Sequence, residues 1–428
     1  MCYLCAAKTR KRNLSSFYIM KKAFLLLAAV ACIAVSCKDK EEKGPVLTPD
    51  QNKETLDETC TKAVELLEVE NWQSTADLIT ASVEVFSSIE DGDEGWEDFA
   101  EENLTIETTI RDEEPYEYLI DLSKANGKIT IKDNIVHGEP GTGLSIAYTL
   151  ADGTAVDGKL TVKNSKTTAL VDTDYSSNYD ENGNWYETLW SKTYLVIPAS
   201  IEGVLNAGGK KTASVKITTD VNMAGEEPKP TDTFAATCEV TADKYTFAVT
   251  RAKYSQTEVA LNASIKYDKQ TVVAATFEAK GKIATDEDGE EIDPLASTGN
   301  VNATFSIMDN VQLKGTLNWT EMAKIADKDI ETEADAKALA TAAEKYINLT
   351  LYIQNTAQAK LGFEAIYDEK YTEWDVEPVI RFEDGSAYVM PEEFFTDKNF
   401  PKTVAAIQKA LGEMQSFLGG PEEEDTLK

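Results

Sequence analysis

Between Ala213 and Trp319 the chain alternates apolar and polar residues over long runs, and a period of two sustained this far restricts it to a half-buried antiparallel sheet. Ala213, Val215, Ile217, Thr219, Val221 and Met223 fall on one face, and Ser214, Lys216, Thr218, Asp220 and Asn222 on the other. The pattern returns in Phe234, Ala236, Cys238 and Val240, in Val259, Leu261, Ala263, Ile265 and Tyr267, and in Val311, Leu313, Leu317 and Trp319. Runs of about ten residues exceed the usual 5 or 6, so the expected sheet is tall and strongly curled. The period of two begins near Tyr116, and Asn126-Gly127, Asp152-Gly153 and Asn182-Gly183 read as hairpin turns between antiparallel neighbours.

A sheet with one apolar face needs a cover. Thr48, Pro49 and Asp50 read as a helix start, followed by a stripe of Leu56, Cys60, Ala63, Val64 and Leu67 at helical spacing. A second helix is expected with Leu78, Ile79, Ser82, Val83 and Phe86 facing inward. A third spans Glu333 to Tyr346 with Thr332 as its cap. Near the C-terminus Phe400, Val404, Ile407, Leu411, Met414 and Leu418 make one stripe, closed by Gly419-Gly420. The expected fold is α+β, a large curved antiparallel β-sheet wrapped around N-terminal and C-terminal helices. It would occupy residues 48–421 as a single domain or as two packed subdomains dividing near 200–212, with 422–428 a disordered tail. The length exceeds the roughly 250 to 300 residues at which single cores stop growing.

In architecture this pattern resembles the half-barrel of LolA-type lipoprotein carriers of the Gram-negative envelope. The resemblance implies an apolar cavity between sheet and helices and carries over no functional residue. A filled core is the competing expectation, because protein interiors pack densely.

The N-terminus supplies an address. Lys21 and Lys22 precede an unbroken apolar run from Ala23 to Val35, too short for a membrane span and bounded at once by Lys38, Asp39, Lys40, Glu41 and Glu42. Ala34, Val35 and Ser36 before Cys37 resemble the lipobox of bacterial lipoproteins, with Ala34 where that family usually has Leu. The resemblance implies a signal peptide at 20–36, cleavage before Cys37 and lipid attachment to Cys37, with residues 1–19 an upstream start read in error. Residues 37–47 then form a flexible charged tether. The acidic run in KDKEEKGPV is similar to surface-export signals of Bacteroidota lipoproteins, and equally fits a solvated spacer. The localisation expected is the outer membrane, on its periplasmic or cell-surface face.

Charge removes several functions. With 42 Lys and Arg against 75 Asp and Glu, the formal net charge is −33. The stretch before Cys37 contains bases and no acids, so the remainder is more acidic still. Nucleic acid is excluded as a partner, since neutralising phosphates requires basic patches. Membrane attachment therefore rests on the N-terminal lipid.

Catalytic constellations are sparse. His137 is the only histidine, which excludes multi-histidine zinc sites and leaves one residue on which a Ser/His/Asp triad would depend. No P-loop, Rossmann glycine fingerprint or G-x-S-x-G elbow is present. The expectation is a non-enzymatic protein with no cofactor and no metal. Carboxylates are too numerous for any pair to be singled out as a hydrolase centre. The loops Glu226-Glu227-Pro228 and Asp286 to Glu291 read as solvated acidic turns at one end of the sheet. Asn178, Asp180, Asn182 and Gly183 match early positions of a calcium loop, but Leu189 falls where its bidentate Glu belongs.

Around that turn Tyr175, Tyr179, Trp185, Tyr186 and Trp190 concentrate aromatic rings beside Asn and Asp. Exposed, they would contact a protein or glycan partner. Buried, they would be half of a hairpin's packing face, and strand alternation favours turning some of them inward. Cys60 and Cys238 are the remaining cysteines after Cys37, open to a disulfide in an oxidising envelope or to two buried thiols.

Overall fold

Thr48 opens the first helix with a reciprocal cap: its hydroxyl accepts from the Gln51 N–H, and the Gln51 side chain accepts from the Thr48 N–H. Pro49 occupies the first helical turn, where its missing N–H costs nothing. This is α1, Pro49–Leu66, in a computed structural model that describes residues 44–89, 91–179, 185–225, 229, 231–281, 299–326, 330–369, 372–390 and 393–417. Cys37, the signal segment, Asp180, Asn182, Gly183, both acidic loops and Leu418 to Gly420 lie outside the described residues.

The fold is α+β, with a mixed, mostly antiparallel sheet. The chain divides into two compact units, one of Trp72–Gln256 and one formed by the residues up to Asn71 with those from Thr257 onward. The division is therefore not at 200–212. Those residues belong to a hairpin in which Gly208 and Gly209 both take positive φ, as a two-residue turn requires.

The Trp72–Gln256 unit contains α2 (Gln73–Ser87), β1 (Asp91–Gly92), α3 (Trp96–Leu104), β2 (Glu107–Arg111), β3 (Tyr116–Ile120), β4 (Gly127–Lys132), β5 (Ile135–Glu139) and β6 (Leu144–Thr149). It continues through β7 (Ala155–Tyr179), β8 (Trp185–Ala207), β9 (Lys210–Asn222), β10 (Thr233–Ala242) and β11 (Tyr245–Ser255). From β6 to β11 each strand pairs antiparallel with the next. Asp152-Gly153 turns β6 into β7, as expected. Asn126-Gly127 does not make a hairpin: Gly127, at φ 136°, leads into β4, which runs parallel to β6. β3 also joins in parallel, alongside β8.

α2 covers one end of this sheet. Leu78 packs with Ile131, Val136, Tyr148 and Val156, and the Ser82 hydroxyl lies 2.7 Å from the Tyr148 hydroxyl. The inner line of the helix is Leu78, Ser82 and Val85, so Ile79 and Val83, one position further round the cylinder, are exposed rather than inward, while Phe86, also exposed, keeps its ring centre 5.3 Å from that of the buried Tyr148. At its start, the Asp243 carboxylate accepts from the Thr75 N–H at 2.9 Å, the Thr75 hydroxyl at 2.7 Å and the Ser74 hydroxyl.

In the other unit, β12 (Glu258–Tyr267), β13 (Gln270–Lys280), β14 (Asn300–Ile307), β15 (Val311–Asn318), β16 (Ile347–Ile353), β17 (Thr356–Asp368), β18 (Glu373–Phe382) and β19 (Ala387–Val389) form an antiparallel meander. Between β15 and β16 come α4 (Trp319–Ala326), which Trp319 opens instead of ending a strand, and α5 (Glu333–Tyr346), capped by Thr332 as expected. Leu56 of α1 enters a core with Val311, Ile353, Ile380, Phe382 and Phe394, while Leu339 and Ala340 of α5 pack on Val376. The β17–β18 register places Ile380, Phe382 and Val376 on one face, so both helices cover that face.

The last helix, α6 (Pro401–Phe417), lies against α1. Its inward line runs through Thr403, Ala406 and Ala410, because Thr403 and Lys409 are held by Asp57 and Glu68 of the α1 segment. Ile407 and Leu411 are consequently exposed, and the single apolar stripe expected there is only partly buried.

Candidate functional site

β7 and β8 are 25 and 23 residues long and stay paired from Val156↔Ala207 to Tyr179↔Trp185. Their neighbours stop earlier. Described pairings of β6 with β7 end at Leu160, and those of β3 with β8 begin at Ser191. Among the described residues, 175–179 and 185–190 therefore form a two-stranded ribbon with no sheet beside it. Register shifts at Leu170/Asp172 and Asp174/Tyr175 mark its base, and such irregularities bend and twist a strand pair.

Opposed residues of an antiparallel pair share a face. One face carries three rungs in order: Tyr179 with Trp185, Ser177 with Glu187, and Tyr175 with Leu189. The other begins with Asn178 and Tyr186, then Ser176 and Thr188. Trp190 stands at the shift and meets Tyr116 of β3, their ring centres 5.1 Å apart and planes tilted by 55°. The first face thus runs aromatic, polar, aromatic.

The five rings singled out in the sequence lie together, and all are exposed: Tyr175 at 57%, Tyr179 at 72%, Trp185 at 56%, Tyr186 at 46% and Trp190 at 42%. The inward turn expected for some of them does not occur. Alternation assigns side chains to two faces, but among the described residues neither face of the ribbon has a covering layer. Single exposed apolar residues are ordinary; a contiguous aromatic group on a projecting element is informative.

Polar groups of the ribbon are ordered locally. The Asn178 amide donates to the Ser176 hydroxyl at 3.2 Å, and the Ser191 hydroxyl donates to Asp174 at 3.2 Å. Glu187 is the charged side chain among the described residues of the ribbon, and Asp172, Asp174 and Lys192 stand at its base. Glu187, Ser177 and Tyr116 were not distinguishable as site residues beforehand, although the alternation in Trp185-Tyr186-Glu187-Thr188-Leu189-Trp190 already contains the rung order.

A second feature lies on the α2 side of the same sheet. Ile129, Ile146, Leu160, Leu205 and Val215 border a shallow groove of about 400 Å³. Its floor dips at Gly158 and Gly203, which oppose Leu205 and Leu160 in the register. A Cβ at Gly203 would come within 2.8 Å of the Val215 side chain, so a methyl group there requires that side chain to move.

The other sequence candidates are not brought into either site. The Nδ1 of His137 sits 2.8 Å from the Asp93 carboxylate, on β5 at a half-exposed position. Among the described residues no group of three or more His, Cys, Asp or Glu is arranged to hold a metal, and no helix is long and apolar enough to cross a membrane. No disulfide joins Cys60 and Cys238. Cys60 is buried beside Ala63, Val272 and Ile307 in one unit, while Cys238 sits on β10 in the other. Comparison with known proteins finds no matching family model, curated protein or solved structure.

Proposed function

We propose that this chain is a lipid-anchored lipoprotein of the bacterial cell envelope, attached to the outer membrane through Cys37, that acts without catalysis by binding a protein or glycan partner through the β7–β8 ribbon. The observation that carries the binding part is the exposure of Tyr175, Tyr179, Trp185, Tyr186 and Trp190 on an element that, among the described residues, has no sheet neighbours. Tyr and Trp provide large contact area with little rotamer entropy to lose, and each has a polar tip. The anchor is supported by the apolar run and lipobox-like residues that end at Cys37.

The test is retention of envelope material by the immobilised, detergent-solubilised protein. Separate protein and polysaccharide fractions are applied to the wild type and to a variant with Tyr175, Tyr179, Trp185 and Tyr186 changed to Ala. The reading requires at least one fraction to be retained by the wild type and released by the variant. Equal behaviour of the two proteins contradicts it.

A carrier of a lipid or other apolar ligand is the second reading, favoured by the apolar groove beside α2. Mass spectrometry of organic extracts from natively purified protein, with its covalent acyl groups removed, would show a stoichiometric apolar molecule in that case and a clean extract otherwise.

A further inference from the structure

We propose that the ribbon takes a neutral oligosaccharide, laid along the face of Tyr175, Tyr179 and Trp185, with Glu187 accepting hydrogen bonds from sugar hydroxyls. The inference rests on the ribbon being the binding element and commits it to one ligand class.

The rung order decides between glycan and protein. Protein interfaces place their aromatic anchors at the centre of the patch and their polar groups at the rim. Here the order is reversed. Tyr179 and Trp185 stand at one end, Tyr175 at the other, and the polar Ser177–Glu187 rung lies between them. Tyr179 lies four residue steps along the strand from Tyr175, about 13 Å, which leaves room for a short run of sugar rings. Pyranose rings offer apolar C–H faces to the aromatic planes and hydroxyls at their edges. A carboxylate between two ring platforms is placed to accept from those hydroxyls, in a charge-assisted bond stronger than a neutral one.

Charge narrows the class further. Glu187 lies on the ribbon, Asp172 and Asp174 stand at its base with Lys192 across from Thr173 between them, and the whole chain carries −33. Anionic glycans are repelled, whereas a neutral chain of hydroxyl donors is not. The opposite face carries Tyr186 and the Ser176–Thr188 rung, and Trp190 meets Tyr116 at the base.

The experiment is affinity electrophoresis of the full mature chain through native gels containing dextran, β-glucan, xylan or mannan, with alginate as the anionic comparison. At least one neutral polysaccharide is expected to retard the protein and alginate is not. Tyr179→Ala combined with Trp185→Ala, and separately Glu187→Ala, are each expected to weaken retardation about tenfold or more. Glu187→Gln keeps an acceptor oxygen and is expected to retain part of the affinity. Retardation should change little between about 50 and 500 mM salt, since no ion pair is formed. These side chains are exposed, and unchanged circular dichroism confirms that the variants fold. Absence of retardation by every neutral polysaccharide, or retardation that the ring variants leave intact, overturns the proposal. If envelope proteins are retained in a ribbon-dependent way while the polysaccharides are not, the sugar assignment fails and the ribbon reading survives. If neither is retained, both fail.

Discussion

The Asp57 carboxylate, buried on α1, accepts the backbone N–H of Thr403 at 2.8 Å and its hydroxyl at 2.7 Å, and so caps the start of α6 from a distant part of the chain. The N–H of Lys402 adds a longer bond to the other oxygen at 3.3 Å. These are the donors that a helix start leaves without intrahelical partners, and the helix dipole favours a negative charge there.

Asp57→Ala removes that cap and leaves the half-buried donors of Thr403 without their carboxylate. The expected loss is about 2–4 kcal/mol, between that of an ordinary N-cap and of a buried charge-assisted pair. Denaturant unfolding of the two proteins measures it. A loss below about 0.5 kcal/mol would show that α6 does not depend on Asp57.

Glu68 is buried, and the Lys409 ammonium lies 2.6 Å from it. The hydrogen bond to Glu68 raises the Lys409 pKa above its ordinary value. Lys409→Ala strips a buried carboxylate of its cation and is expected to lower Tm more than Lys337→Ala, whose partner Glu333 is exposed. Adding Glu68→Gln to Lys409→Ala should recover part of the loss. No recovery would mean that the lysine acts through packing alone.

Acid should loosen the α2 end of its unit. Burial pushes the Asp243 pKa up, but the bonds from the Ser74 and Thr75 hydroxyls and the Thr75 N–H outweigh it and leave the pKa below its ordinary value. A carboxyl held lower in the folded state stabilises fully above its unfolded pKa of about 3.9, and loses that contribution as pH falls through the folded pKa. Asp243→Ala is therefore expected to have a lower Tm than the wild type at pH 7, with the gap closing as pH falls below about 4. A gap independent of pH would contradict the bonding.

Gly203 faces the Val215 side chain so closely that Gly203→Ala forces that side chain or its strand to shift, at an expected cost of about 1–3 kcal/mol in thermal or chemical unfolding. Gly153, in an open turn with nothing near its missing side chain, tests the opposite case. There the cost of Ala comes only from its positive φ, and it should be the smaller of the two.

Much of the fold could be read from periodicity. The strands from Ala213 to Leu317 and the caps Thr48 and Thr332 depend on local chemistry and are visible in consecutive residues. Helix faces were less legible. Ile79, Val83 and Phe86 have helical spacing, as do Ile407 and Leu411, yet only the tertiary partners decide which of two adjacent apolar lines turns inward. For the ribbon, the five rings were identifiable by composition, but their exposure was not. It follows from where β6 and β3 stop pairing, a long-range fact absent from the local sequence. Asp57 was equally hidden, since its partners lie more than three hundred residues away.

Removing the ribbon tests the central claim most directly. Residues 175–190 are replaced by an Asn-Gly turn joining Asp174 to Ser191, which already face each other across the strands. The shortened protein is expected to keep the wild-type Tm within a few degrees and to lose retention of envelope protein and polysaccharide alike. Full retention by the folded, shortened chain would contradict the assignment of binding to the ribbon, and collapse of the fold would show that the rings serve structure instead.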